Sequence, residues 1–159
     1  RQLQDLQGLP ADKADALAHI AGGRPGLAEE MVREDFLQER EDVITTLAKV
    51  AQGRDLEALK KGSQHKGKRD PAARFLEMLI PVLRDAALLK ENEKSPAILN
   101  VDYRKQIIEI ARQFKTEEIL QAWQLAVEGS RNLFFNANPQ AQVEKVLLAL
   151  CPVTHPSRS

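Results

Sequence analysis

The chain has 159 residues, with 23 Lys+Arg balanced by 23 Asp+Glu and 43% hydrophobic content. That balance fits one or two small globular domains and excludes a wholly disordered chain or a globally basic nucleic-acid binder. Cys151 is the only cysteine, which excludes an internal disulfide framework and a multi-cysteine metal site and leads us to expect a reducing compartment, the cytoplasm. No apolar run approaches the roughly 20 residues of a membrane span, so no membrane partner is expected. Arg1 opens the chain without an initiator Met or a secretory pattern, which suggests a piece of something longer.

In chain order, Leu9-Pro10 leads into a first amphipathic stretch with Ala14, Leu17, Ala18 and Ala21 at helical spacing, ended by Gly22-Gly23. Pro25 begins the next, where Leu27, Ala28, Met31 and Val32 share a face. A longer helix carries Phe36, Leu37, Val43, Ile44, Leu47, Ala48 and Ala51 as far as Gln52-Gly53. Asp55 is placed to cap a short helix bearing Leu56 and Leu59. The stretch Lys60 to Arg69 has two glycines and no apolar residue, so it reads as a solvated basic loop.

Asp70-Pro71 restarts the pattern with a cap and a proline at the first helical position. Phe75, Leu76, Leu79, Leu83, Ala86, Ala87 and Leu89 then form a broad apolar face. Pro81 lies inside it and predicts a kink near Glu77 to Pro81. A polar loop follows from Glu91 to Asn100. Asp102 is expected to cap a helix with the stripe Tyr103, Ile107, Ile110, Ala111 and Phe114. Thr116 is expected to cap its successor, whose Glu117 and Glu118 favour the positive end of the helix dipole. Its inward face is read as Ile119, Trp123, Ala126, Val127, Ser130 and Phe134. The helix stops at Asn136-Ala137-Asn138-Pro139, where Asn138 can cap a restart and Pro139 suits its first position. Val143, Val146, Leu147 and Leu150 line one face of that last helix. No segment alternates as a strand would, so the fold class is all-α.

No catalytic constellation accompanies these helices. The chain has no phosphate-cradling loop, no His-Glu-x-x-His and no dinucleotide fingerprint. His19, His65 and His155 have no ligand spacing, and Cys151 reads as a packed thiol. We expect no cofactor, no metal and no enzymatic activity. The basic stretch Lys60 to Arg69 lacks any aromatic on which a base would stack, and a solvated linker is the simpler reading. The turn Gly22 to Ala28 joins two helices, either as a plain connector or as a helix N-terminus facing an anion.

Two motifs carry a family resemblance. Gly23, Pro25, Gly26 and Ala28 are similar to the sensor-2 element that opens a helix of the AAA+ lid. The run Arg131 to Pro139, followed by Val146 to Leu150, resembles the C-terminal collar of bacterial DNA polymerase III clamp-loader subunits. Leu27 stands where the nucleotide-sensing arginine would be, and Arg24 replaces the serine. The nucleotide-facing motif Gly23, Arg24, Pro25, Gly26 and Leu27 is therefore degenerate, as in the non-hydrolysing delta-prime type. Asn100-Val101-Asp102 and the two closing helices resemble the collar in order and spacing.

The resemblance implies a partial lid over residues 1–34, a helical collar or oligomerisation domain over 35–151 and a C-terminal tail over 152–159. It implies a scaffold that holds the subunit ring loading the sliding clamp onto DNA during replication. Its partners would be the other clamp-loader subunits, with the clamp and DNA touched only indirectly. Arg131, Asn132, Phe135 and Asn136 combine an aromatic with hydrogen-bonding groups near a helix end and are expected to meet a neighbouring subunit. The alternatives are a free-standing helical adaptor and the equivalent region of a gamma/tau subunit.

Overall fold

The structure is a computed structural model that describes residues 8–22 and 34–151. Among the described residues six α-helices follow in order: α1 (Ala11–Ala21), α2 (Glu34–Ser63), α3 (Arg69–Glu91), α4 (Arg104–Arg112), α5 (Thr116–Phe134) and α6 (Pro139–Ala149), with a 3-10 turn over Val101–Tyr103 before α4. No strand occurs among the described residues. The all-α reading therefore holds.

The bundle is centred on α3, α5 and α6, with the second half of α2 against α6 and α4 against α3. Leu76, Leu79, Leu83, Leu89, Ile107, Ile119, Leu133, Val143, Val146, Leu147 and Leu150 are all buried in one continuous core. The closing helix is as read from its sequence: the Ala141 N–H donates to Asn138 Oδ1 at 3.1 Å, and Pro139 follows the cap. Burying Val143, Val146, Leu147 and Leu150 together gives α6 about 6–10 kcal/mol of transfer free energy, an upper bound for a helix too short to persist alone. A second, smaller cluster gathers Leu17 and Ala21 of α1 against Phe36 and Leu37 at the start of α2.

Several expectations are corrected. The helix running to Gln52-Gly53 does break there, but the residue that leaves helical geometry is Arg54, with φ 52° and ψ −131°. Gly53 itself stays in helical geometry, and a Cβ at that position would run into the Glu57 side chain. The stretch Lys60 to Arg69 is not simply solvated. α2 continues to Ser63, Lys61 pairs with Asp42 and lies 5.0 Å over the Phe75 ring, and His65 is buried 5.3 Å from the same ring. Long basic side chains cover apolar surface with their stems, which a search for apolar residues cannot register. Leu56 and Leu59 of the short helix face outward. Pro81 lies within a continuous α3.

Capping also differs at three places. α3 starts at Arg69 with Lys68 as its cap residue, so Asp70 and Pro71 lie inside its first turn. Asp102 makes no cap; both its oxygens accept from Arg40, at 2.6 Å each. Thr116 is already helical, and the cap residue is Lys115, whose N–H donates to Glu118 Oε2 at 3.0 Å. That single bond, the carboxylate half of a capping box, takes the place of the hydroxyl cap.

The largest correction concerns α5. Its buried face is Ile119, Ala122, Ala126, Gly129 and Leu133, whereas Trp123 is 38% exposed and Phe134 73% exposed. Val127 and Ser130 are half-buried. The reason is steric: a Cβ on Gly129 would stand only 3.1 Å from Leu76 Cδ1. The small residues Ala122, Ala126 and Gly129 let α5 approach α3 closely, and that approach leaves no room for an indole. Size, not hydrophobicity alone, sets the rotation of the helix.

A polar cluster ties the elements together. Asp85 of α3, with no exposure, accepts from Leu99 N–H (3.0 Å), Asn100 N–H (2.7 Å) and Asn100 Nδ2 (2.8 Å). Asn100 Oδ1 accepts from Arg40 Nη2 at 2.7 Å, and Arg40 closes the chain on Asp102. Removing one member strands the others without partners. Asp85→Ala is expected to lower stability by about 3 kcal/mol or more in urea unfolding, while Trp123→Ala should cost under about 1 kcal/mol, as for an ordinary surface change. Equal losses for the two variants would contradict this assignment of core and surface.

Candidate subunit interface

The C-terminal corner of α5 is built by its backbone. Asn136 adopts φ 63°, a left-handed conformation that asparagine tolerates better than other non-glycine residues. The Asn136 N–H then donates to the Leu133 carbonyl at 3.3 Å and the Ala137 N–H to the Asn132 carbonyl at 3.1 Å. This pair of bonds is the Schellman arrangement, which satisfies carbonyls that a helix end leaves open. The Asn138 cap of α6 begins two residues later, so the corner is fixed from both sides. Asn132 Nδ2 lies 3.4 Å from Gln142 Oε1 and links the two helices again.

On this corner stand Phe134 and Phe135, 73% and 74% exposed. Their rings meet edge to face at 5.5 Å and 83°, a favourable arrangement for two aromatic quadrupoles. Arg131 is exposed one turn earlier and makes no ion pair among the described residues. Arg131, Asn132, Phe135 and Asn136, singled out in the sequence, therefore come together at one exposed and conformationally locked place. Large exposed apolar side chains in that setting mark an interaction surface more than an ordinary loop does.

Three residues of the same surface escape the sequence reading. Leu120 is 50% exposed, and with Trp123 and Phe134 it extends the apolar surface along the outer side of α5. Periodicity places Trp123 and Phe134 on the inward side of the helix, and it places Leu120 on neither. The degenerate nucleotide-facing motif Gly23, Arg24, Pro25, Gly26 and Leu27 lies outside the described residues, as does His155.

Elsewhere the surface offers little chemistry. A groove of about 620 Å³ between α2 and α4 has a floor of Ile44, Ala48, Ala51 and Ile110, with Glu109 and Arg112 as its charged rim groups. Among the described residues no group of three His, Cys, Asp or Glu is placed to hold a metal ion. None of the described helices is long and apolar enough to cross a membrane.

Two buried titratable groups have structural rather than reactive settings. Burial lowers the pKa of His65, partly offset by its bond to the Lys61 carbonyl. Burial first, and then Asp55, pushes the Cys151 thiol up to about 11. The thiolate is the reactive form, so Cys151 should react slowly with a thiol reagent at pH 8 in the folded chain and fast in denaturant. Rapid native-state labelling would place Cys151 at the surface.

Comparison with known families gives one finding. Residues 34–150, well over half of the chain, match the family model described as DNA polymerase III, delta subunit, C terminal. Neither a curated protein nor a solved structure matches the chain.

Proposed function

The chain belongs to the family defined by the C-terminal region of the DNA polymerase III delta subunit, a family of clamp loaders, and on that premise we propose that it is the scaffold and oligomerisation part of a delta-prime clamp-loader subunit. In this reading residues 1–34 are the remnant of an AAA+ lid and 35–151 the collar that holds neighbouring subunits in a ring. The clamp and DNA are reached only through the assembly, which works in the cytoplasm. The delta-prime assignment rests on Leu27 and Arg24, which depart from a nucleotide-sensing motif. The chain's part is to hold, not to hydrolyse.

One observation carries the reading: the Phe134–Phe135 pair stands exposed on a corner locked by backbone hydrogen bonds. A rigid aromatic anchor loses little conformational freedom on binding, and arginine is among the residue types enriched at interface hot spots. Arg131, Asn132, Phe135 and Asn136 are accordingly proposed to meet a neighbouring subunit.

Phe135→Asp combined with Arg131→Glu tests this, because the pair puts unpaired charge into an interface that must be desolvated. Both positions are exposed, so circular dichroism should show an unchanged fold. Size-exclusion chromatography of a reconstituted clamp loader should show the double variant left out. Normal incorporation would remove these residues from the interface.

A further inference from the structure

The outer side of α5 has a regularity that ring assembly does not require. Leu120, Val127 and Phe134 recur every seven residues, and Trp123 and Ser130 fall three residues after the first two. This is the a/d spacing of a coiled-coil seam. Leu120, Trp123 and Phe134 are exposed, and Val127 and Ser130 are half-buried. The positions flanking the seam on its solvent side are Glu117, Gln124 and Arg131. Glu117 and Arg131 are exposed and have no ion-pair partner among the described residues.

We propose that this seam takes a second copy of this chain, its α5 antiparallel to the first across a two-fold axis beside Gln124. The charge order selects that occupant and that direction. With the axis at Gln124, Glu117 of each copy meets Arg131 of the other, twice, and Gln124 meets its own counterpart. The same register sets Leu120 against Ser130 and Trp123 against Val127, so each large side chain faces a smaller one, as interdigitating layers need. A parallel pair would instead set Glu117, Gln124 and Arg131 against the partner's g positions, Ile119, Ala126 and Leu133, which are buried in its own bundle, and leave the charges unpaired. The two helix dipoles also oppose favourably in the antiparallel pair.

The interface is isologous, as a two-fold dimer requires. The sizes and exposures of these side chains give about 500 Å² per copy, or about 1,000 Å² in all, at the lower limit for a specific contact. The dimer is therefore weak, with a dissociation constant in the micromolar range, and dissociates on dilution. It goes beyond the clamp-loader reading, since it needs no other subunit, and it occupies the face that a neighbouring subunit would claim.

Sedimentation equilibrium of the 159-residue chain alone tests it. The chain should pass from monomer to dimer as concentration rises through the micromolar range. Glu117→Arg alone and Arg131→Glu alone should each weaken the dimer about tenfold or more by opposing like charges. The double exchange Glu117→Arg with Arg131→Glu should return affinity to near that of the parent. Trp123→Ala, at an exposed position that leaves the fold intact by circular dichroism, should abolish dimerisation. A chain that stays monomeric at several hundred micromolar overturns the proposal. So does a dimer in which the double exchange is no better than either single change. Reconstitution with clamp-loader partners is read separately, so failure here leaves the clamp-loader reading standing.

Discussion

Asp85 is a carboxylate with no solvent exposure at the centre of α3, and the arrangement of the chain around it follows from the need to satisfy it. An unpaired charge there would cost several kcal/mol or would neutralise by protonation. The segment 99–100 supplies two backbone N–H groups and one amide, and Arg84 approaches at 3.4 Å from the surface. Asn100 uses its remaining oxygen on Arg40, and Arg40 is held by Asp102. The Arg40 guanidinium also lies 4.8 Å from the Tyr103 ring centroid, and Lys13 of α1 reaches the same ring at 5.8 Å. One network thus joins α1, α2, α3 and the turn before α4. A buried polar cluster of this kind fixes register more than it adds stability.

With α3 held in register, the close approach of α5 becomes the second constraint. Ala122, Ala126 and Gly129 make a narrow face that fits against α3, so the volume of α5 lies on its other side. Leu120, Trp123 and Phe134 are thereby turned outward by the same packing that stabilises the bundle. Core and binding surface are two sides of one helix. The proposed contact surface needs no separate structural device, because the Schellman corner that ends α5 also presents Phe135.

Much of this organisation is legible in the sequence. Helix ends announce themselves where local chemistry governs them: Gly22 after α1, Asn138-Pro139 before α6, and the break beside Gly53. The core of α3, α4 and α6 follows from periodicity, because in each helix one stripe is clearly the most apolar. The face of α5 does not follow, since two stripes compete there and the one richer in aromatics is the outer one. Periodicity ranks residues by hydrophobicity, whereas the choice depends on the gap between helices that another segment defines. Asp102 and Asp85 are obscure for a related reason. Asp102 resembles a cap locally and is captured by Arg40, 62 residues away in sequence, while nothing near Asp85 in the chain distinguishes it from a wet-face carboxylate. The candidate interface residues Arg131, Phe135 and Asn136 can be found because a helix-ending asparagine beside an aromatic is a local signal.

Trp123 is the only tryptophan in the chain, and its position on the outer face of α5 makes its fluorescence a direct probe of the central claim that this face is reserved for association. In dilute solution its emission should be red-shifted and readily quenched by acrylamide, and on titration with partner clamp-loader subunits it should shift to the blue and become protected. Blue, unquenchable emission in the dilute chain would return Trp123 to the core, and exposed emission unchanged on assembly would show that this face of α5 meets no partner.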